Sequence, residues 1–188
     1  MKIDVRSARH DDATFIIDSN CRMTTEIESL SEGDPAVRDD EGFDPGDRKL
    51  LDDVDRHGWH VVKVTNDETD PGFAYSVGMF HTFRQPEIIV VGMDLKVMHW
   101  MINEAGEWVR EGRPIRPDTP YSGLLEGYDC IFRPVAKKFY RDYFGYALWF
   151  YRDDEFPVLQ CIWPDKEGHW PWNEDFNPAW KSMQPLLQ

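Results

Sequence analysis

Three observations predict a single α+β domain whose mainly antiparallel β-sheet is covered by one long amphipathic helix. Two apolar runs, Phe73–Met79 and Ile88–Met93, lie close together, and the second is β-branched and apolar almost throughout, the pattern of a strand buried on both faces. Behind them, Met98, Met101, Ile102, Ala105, Trp108 and Val109 recur at three- and four-residue steps, which predicts a helix over Leu95–Glu111. The remaining strand-like segments are joined mostly by short turns, which favours antiparallel pairing. At 188 residues the chain is long enough to bury a core without staples, and 14% aromatic residues supply one.

Residues 1–46 read as an acidic helical and loop extension, and residues 47–188 as the α+β domain. Asp11 and Asp12 can cap a helix running to Leu30, with Phe15, Ile16, Cys21, Met23, Ile27 and Leu30 as its stripe. Glu32–Pro45 is expected as an exposed loop; Asp39, Glu41 and Asp44 lack the spacing of a calcium loop. Asp47–His57 has the pattern of a short helix anchored by Leu50, Leu51 and Val54, with Gly58 at its left-handed end. Trp59–Thr65 alternates as a strand, and Asn66–Gly72 is its turn.

Between the two organising runs, a polar connection carrying His81, Arg84, Gln85 and Glu87 is expected to form a pocket-lining loop. Gly78 at its start marks a bulge or a close approach of another backbone. The long helix has Asp94 as N-cap and Gly112 just past its end, with Pro114 blocking continuation. Arg113–Gly127, with three prolines, reads as a surface loop. Tyr128–Val135 and Tyr146–Tyr151 are expected strands joined by a short helical Lys137–Phe144, and Pro157–Trp163 is the last strand. The tail from Pro164 is expected to lie irregularly across the fold.

Charge narrows the partners. The chain carries a net −14, with −8 concentrated in residues 1–56. Such a surface repels nucleic acid and anionic membranes and favours plain solubility, cations or a basic protein partner. Cys21, Cys130 and Cys161 are widely spaced and form no CxxC, the usage of reduced thiols in a cytoplasmic protein. No apolar run reaches membrane-span length, and none has the form of a signal peptide.

Motifs for assembled chemistry are missing. There is no GxSxG, GxGxxG or GxxxxGK[ST], so neither a nucleophile elbow nor a phosphate cradle is supported. His57 and His60 straddle a helix end and lack the further ligands of a metal site. The WPD tripeptide Trp163–Asp165 occurs in the acid loop of tyrosine phosphatases, but no cysteine here is followed by arginine six residues later. What remains is a set of polar groups: His81 and Glu87 as a base and carboxylate, Tyr75 as a donor, and Asp165 in VLQCIWPDKEGHWPW. The catalytic candidates are therefore Tyr75, Glu87 and Asp165. Asp165 also suits the plainer duty of accepting backbone N–H groups inside its turn, with Trp163 and Trp172 buried against the sheet.

PGFAYSVGM with PEIIVVGM behind it, the helix bearing Asn103, and LQCIWPDKEGHWPW together resemble a bacterial family known as domain of unknown function 4262. The resemblance spans roughly residues 47–173. It rests on Tyr75, Gly78, Pro86, Glu87, Gly92, Asn103, Gln160, Trp163, Pro164, Asp165, Gly168, Pro171 and Trp172, with Ser76 where threonine is usual and Met79 where leucine is usual. His81 and His169 stand outside the pattern. The family implies no activity, cofactor or metal, but it marks Tyr75, Gly78, Glu87, Asn103, Gln160, Trp163, Asp165 and Trp172 as candidates to line a pocket.

Two functions are open at this stage. The first is a non-enzymatic acidic module, immunity- or antitoxin-like, that neutralises a basic protein through Asp39, Asp40, Glu41 and Asp44. The second is a small-molecule enzyme or binder with a pocket between Tyr75–Glu87 and the Gln160–Trp172 turn.

Overall fold

The computed structural model describes residues 44–68 and 70–188, with Gly42 and the backbone of Ile16–Ile17. The strands are β1 (Ile16–Ile17), β2 (His60–Val64), β3 (Phe73–Val77), β4 (Glu87–Val91), β5 (Pro120–Leu125), β6 (Tyr128–Pro134) and β7 (Val158–Ile162). They form one sheet in the order β1-β2-β3-β4-β7-β6-β5. Four of the six neighbouring pairs are antiparallel, as expected for the α+β class, but the short β1 runs parallel to β2, and β4 runs parallel to β7 in the middle of the sheet. The reason for this last pairing is burial. All five residues of β4 and of β7 are buried, so both belong in the middle of the sheet, and a long crossover brings β7 back there.

Strand alternation divides the core into two layers. Val61, Ala74, Ile88, Val90, Leu159 and Cys161 face α3 (Leu95–Arg110), which presents Met98, Met101, Ile102, Ala105 and Trp108 to them. Val62, Tyr75, Val77, Ile89, Val91 and Val158 face the other way. That second layer is closed by Leu50 and Val54 of α1 (Pro45–His57) and by Tyr140, Phe144 and Ala147. These last three come from α4 (Tyr140–Tyr143), entered through the 3₁₀ turn Lys137–Phe139, and α5 (Gly145–Tyr151).

Both long helices follow their sequence signals. The α3 helix starts at Asp94, whose side chain accepts from the Lys96 N–H. The α1 helix ends at Gly58 as expected, yet begins two residues earlier than Asp47. Asp44 is its N-cap and forms a capping box with Asp47, and Pro45 occupies the first turn.

Four expectations need correction. The connection after β3 is not an open loop but a short helix, α2 (Met79–Phe83). Pro120–Leu125, inside the expected 113–127 loop, is the edge strand β5; its proline sits at the first position, and its register is irregular between Tyr121 and Leu125. Tyr146–Tyr151 is helical. Its aromatic composition suits a strand, but the Leu148 N–H bonds back to the Phe144 carbonyl, so the segment satisfies its own backbone as a helix packed on the sheet. Within the segment Asp11–Leu30, expected as a helix, Ile16–Ile17 instead form β1 and pair in parallel with Lys63–Val64; the other residues of that segment lie outside those described. Most of the 1–46 extension, Cys21 included, lies there too.

Candidate functional site

A cluster of buried polar groups sits where β3 turns through α2 into β4. Gly78, at φ +112°, ends β3 and is the N-cap residue of α2. A Cβ there would lie 2.8 Å from Val54 Cγ2 and 3.0 Å from the Gly58 carbonyl, so the close approach foreseen at this glycine is real. A glycine cap brings no side-chain acceptor, and the first N–H groups of a helix need one. Glu87, from the start of β4, supplies it. Its Oε1 accepts from the Gly78 N–H at 2.9 Å and the Phe80 N–H at 3.1 Å, and also from the Tyr151 hydroxyl. The Tyr151 oxygen in turn accepts from the His81 N–H at 3.2 Å. On the other side, Ser76 Oγ donates to Oε2 at 2.5 Å and accepts from the Ile88 N–H at 2.9 Å.

Glu87 is wholly buried, and burial pushes its carboxyl above the ordinary glutamate range against the pull of four donors. Tyr75 is buried beside it. Its phenol is raised by burial, its oxygen accepts from the Tyr146 N–H at 3.2 Å, and the nearby Glu87 charge pushes it further up. Tyr151 is raised by burial and then by Glu87. Helix α5 is thereby tied at both ends, to Tyr75 through its first turn and to Glu87 through its last. Chemically the cluster can hold a proton, because a proton on Oε2 would face Ser76 Oγ while Oε1 keeps its three donors. The Ser76 side chain is fully buried behind it. His81 joins only through its backbone N–H; its ring lies exposed against Phe150.

Asp165 occupies a second, separate cluster. Its Oδ1 accepts from the N–H groups of Glu167 at 3.1 Å and His169 at 2.8 Å, and its Oδ2 from Asn177 at 3.0 Å. Burial opposes its ionisation, but these donors outweigh burial and hold the carboxyl below the usual aspartate range. His169 Nδ1 lies 3.5 Å from Oδ2 and has no hydrogen-bond partner among the described residues. The carboxylate gathers three backbone donors, which is the turn-holding duty the sequence suggested. A lowered carboxyl contributes stability above the unfolded aspartate value of about 3.9 and loses it as pH falls through the folded value. Asp165→Asn is therefore expected to lower stability at pH 7 by about 1–3 kcal/mol and to flatten the acid limb of a melting-temperature profile.

The other pocket candidates are dispersed. Asn103 lies on α3, across the sheet from Glu87, and its Oδ1 accepts from Trp59 Nε1 at 2.9 Å. Gln160 on β7 spends its amide on the Pro185 carbonyl and the Leu187 N–H, at 2.8 and 2.9 Å. Trp163 is buried, and its Nε1 donates to the Val91 carbonyl at 3.0 Å. Trp172, expected to be buried, is 37% exposed. It stacks on Trp170 at 5.4 Å with the Arg133 guanidinium of β6 3.7 Å from its ring centre. Among the described residues no hydrogen bond joins the Glu87 cluster to the Asp165 cluster.

Of the partner-binding candidates, Asp39, Asp40 and Glu41 lie outside the described residues, and Asp44 caps α1. His60 is bound to Asp53 at 2.6 Å, and no group of three possible ligands among the described residues could hold a metal ion. Cys130 and Cys161 are free, buried thiols. No helix of the described residues is long and apolar enough to cross a membrane.

Two residues of these networks escaped sequence reading. Tyr151 was hidden by the strand-like composition of its helix, and Gln184, whose Oε1 accepts from the N–H of the buried Trp163, by its place in an irregular tail. Each has partners too distant along the chain to be read from spacing.

No curated protein and no solved structure matches the chain. A family profile does, over residues 53–177, about two thirds of the length, including the Glu87 and Asp165 clusters. The chain belongs to the family described as a domain of unknown function (DUF4262).

Proposed function

We propose that the chain is a non-enzymatic protein-binding module, immunity- or antitoxin-like, that neutralises a basic protein by docking through its acidic N-terminal third. The observation that carries this reading is the orientation of α1. Leu50 and Val54 anchor it to the second core layer, while Asp44, Asp52 and Asp55 face solvent. They continue a run, Glu32–Asp55, that holds ten acids against three bases. Supporting it, Tyr75, Glu87, Asn103, Gln160 and Asp165 all spend polar atoms on groups of the chain itself.

Acidic docking raises encounter rates by long-range attraction, which salt screens over about 8 Å at physiological ionic strength. Proteins cross-linked to the chain should include a basic one whose association rate falls with added salt. With Asp39, Asp40, Asp52 and Asp55 changed to Asn and Glu41 to Gln, that rate should drop about 10-fold at low salt. Asp44 is left in place, since losing this N-cap would cost about 0.5–2 kcal/mol and confound the comparison. A partner that binds both forms equally fast would overturn acidic docking.

A second reading, a small-molecule enzyme or binder, is favoured by the raised carboxyl of Glu87 beside two hydroxyls. It gains ground if Glu87→Gln leaves the fold intact while abolishing an activity found by substrate screening.

A further inference from the structure

Beyond Lys181 the tail runs without regular structure, yet it is held by a dense set of main-chain contacts. The Gln184 amide pairs with both polar groups of one residue: its Oε1 accepts from the Trp163 N–H at 2.9 Å, and its Nε2 donates to the Trp163 carbonyl at 2.8 Å. A neighbouring strand would offer the same pairing. Gln160 answers from the sheet, reaching the Pro185 carbonyl and the Leu187 N–H. The Ala136 N–H donates to the Leu187 carbonyl at 2.8 Å. Gly92 lies so close beneath the tail that a Cβ would sit 1.8 Å from the Met183 carbonyl oxygen.

Two side chains anchor this segment. Gln184 and Leu187 are each 1% exposed, while Pro185 and Leu186 between them are half-buried and Met183 is exposed. The receiving residues Gly92, Ala136, Gln160 and Trp163 all fall within the family match at 53–177, and the inserted residues follow it.

We infer that this face is a peptide-binding groove, occupied in this chain by its own segment Met183–Leu187. Its ligand class is an extended peptide that presents a glutamine and, three residues later, a large aliphatic side chain. The glutamine reads the Trp163 backbone, Gln160 reads the peptide backbone, and the aliphatic group enters the layer formed by Ile89, Val91 and Val158. This inference is independent of acidic docking, and its test uses no basic partner.

The probe is a fluorescently labelled peptide with the sequence of residues 180–188, added to the full chain. A tethered tail competes at an effective concentration in the millimolar range, so wild type should bind the free peptide poorly. The Gln184→Ala/Leu187→Ala variant, which removes both anchors, should bind it saturably and at least about 10-fold more tightly. Adding Gln160→Ala should abolish that binding. Absence of saturable binding to a double variant that still melts cooperatively would overturn the proposal, as would equal binding after Gln160→Ala. Amide hydrogen exchange on wild type decides the matter if the double variant does not fold. The Trp163, Ala136 and Leu187 amides should exchange together, at least about 10-fold faster than those of Ile89 and Val90. Exchange of all five only at the rate of the central strands would make the tail an inseparable part of the core and overturn the groove.

Discussion

Glu87→Ala is expected to lower unfolding free energy by about 3–5 kcal/mol, more than a surface acid could account for. The change strands the N–H groups of Gly78 and Phe80 and removes the acceptor of two hydroxyls, all in a site from which solvent is excluded. It also loosens α5, whose Tyr151 reaches the sheet through this carboxylate. Glu87→Gln should be far milder, about 1 kcal/mol or less at pH 7. Its carbonyl oxygen can keep three donors while its amide N–H donates to Ser76 Oγ. The pH dependence follows from the raised carboxyl. The folded protein holds this proton more tightly than the unfolded chain, so the contribution is largest below the ordinary glutamate value of about 4.3. It declines as pH rises through the folded value. Urea denaturation at a series of pH values from about 4.3 upward should show that slope in wild type and lose it in Glu87→Gln. A wild-type midpoint for Glu87→Ala would show that the connection closes without the carboxylate.

Trp163→Ala is expected to cost a further distinct amount, about 3–5 kcal/mol, because it removes a large ring from the α3 layer and leaves the Val91 carbonyl without its indole donor. The contact with Trp180 at 5.5 Å is lost as well, which weakens the seat of the tail. Trp172→Ala should change stability by about 1 kcal/mol or less. That ring is exposed, and its stacking with Trp170 and Arg133 lies at the surface. Equal thermal shifts for the two variants would mean that the outer stack, and not the core packing of Trp163, holds the turn in place.

How much was legible in the sequence depended on how far apart the interacting groups lie. Asp94, the apolar stripe of α3 and Gly112 are local signals, and they placed that helix to within a residue of its end. Asp165 could be read as a turn holder because two of its donors, Glu167 and His169, lie within four residues. Gly78 was recognisable as a close approach, but not as a helix cap, because the acceptor that completes the cap is nine residues away on another strand. Trp172 was misread as buried for a similar reason: the bracketing prolines imply a turn, but Arg133, over which its ring lies, is distant along the chain.

By itself, the sequence determined the mixed class, the alternating strands, the two capped helices and the acidity of the first third, since each rests on periodicity, capping chemistry or composition within a short window. Only the tertiary structure decided that Gly145–Tyr151 is a helix and that β7 inserts parallel to β4. It alone decided that Glu87 serves α2 and α5 at once, and that the tail ends in the amides of Gln160 and the backbone of Trp163. The physical reason is common to all of them. A buried polar group must find a partner wherever the fold brings one, and a segment with strand-like composition becomes a strand only where a neighbour offers its edge.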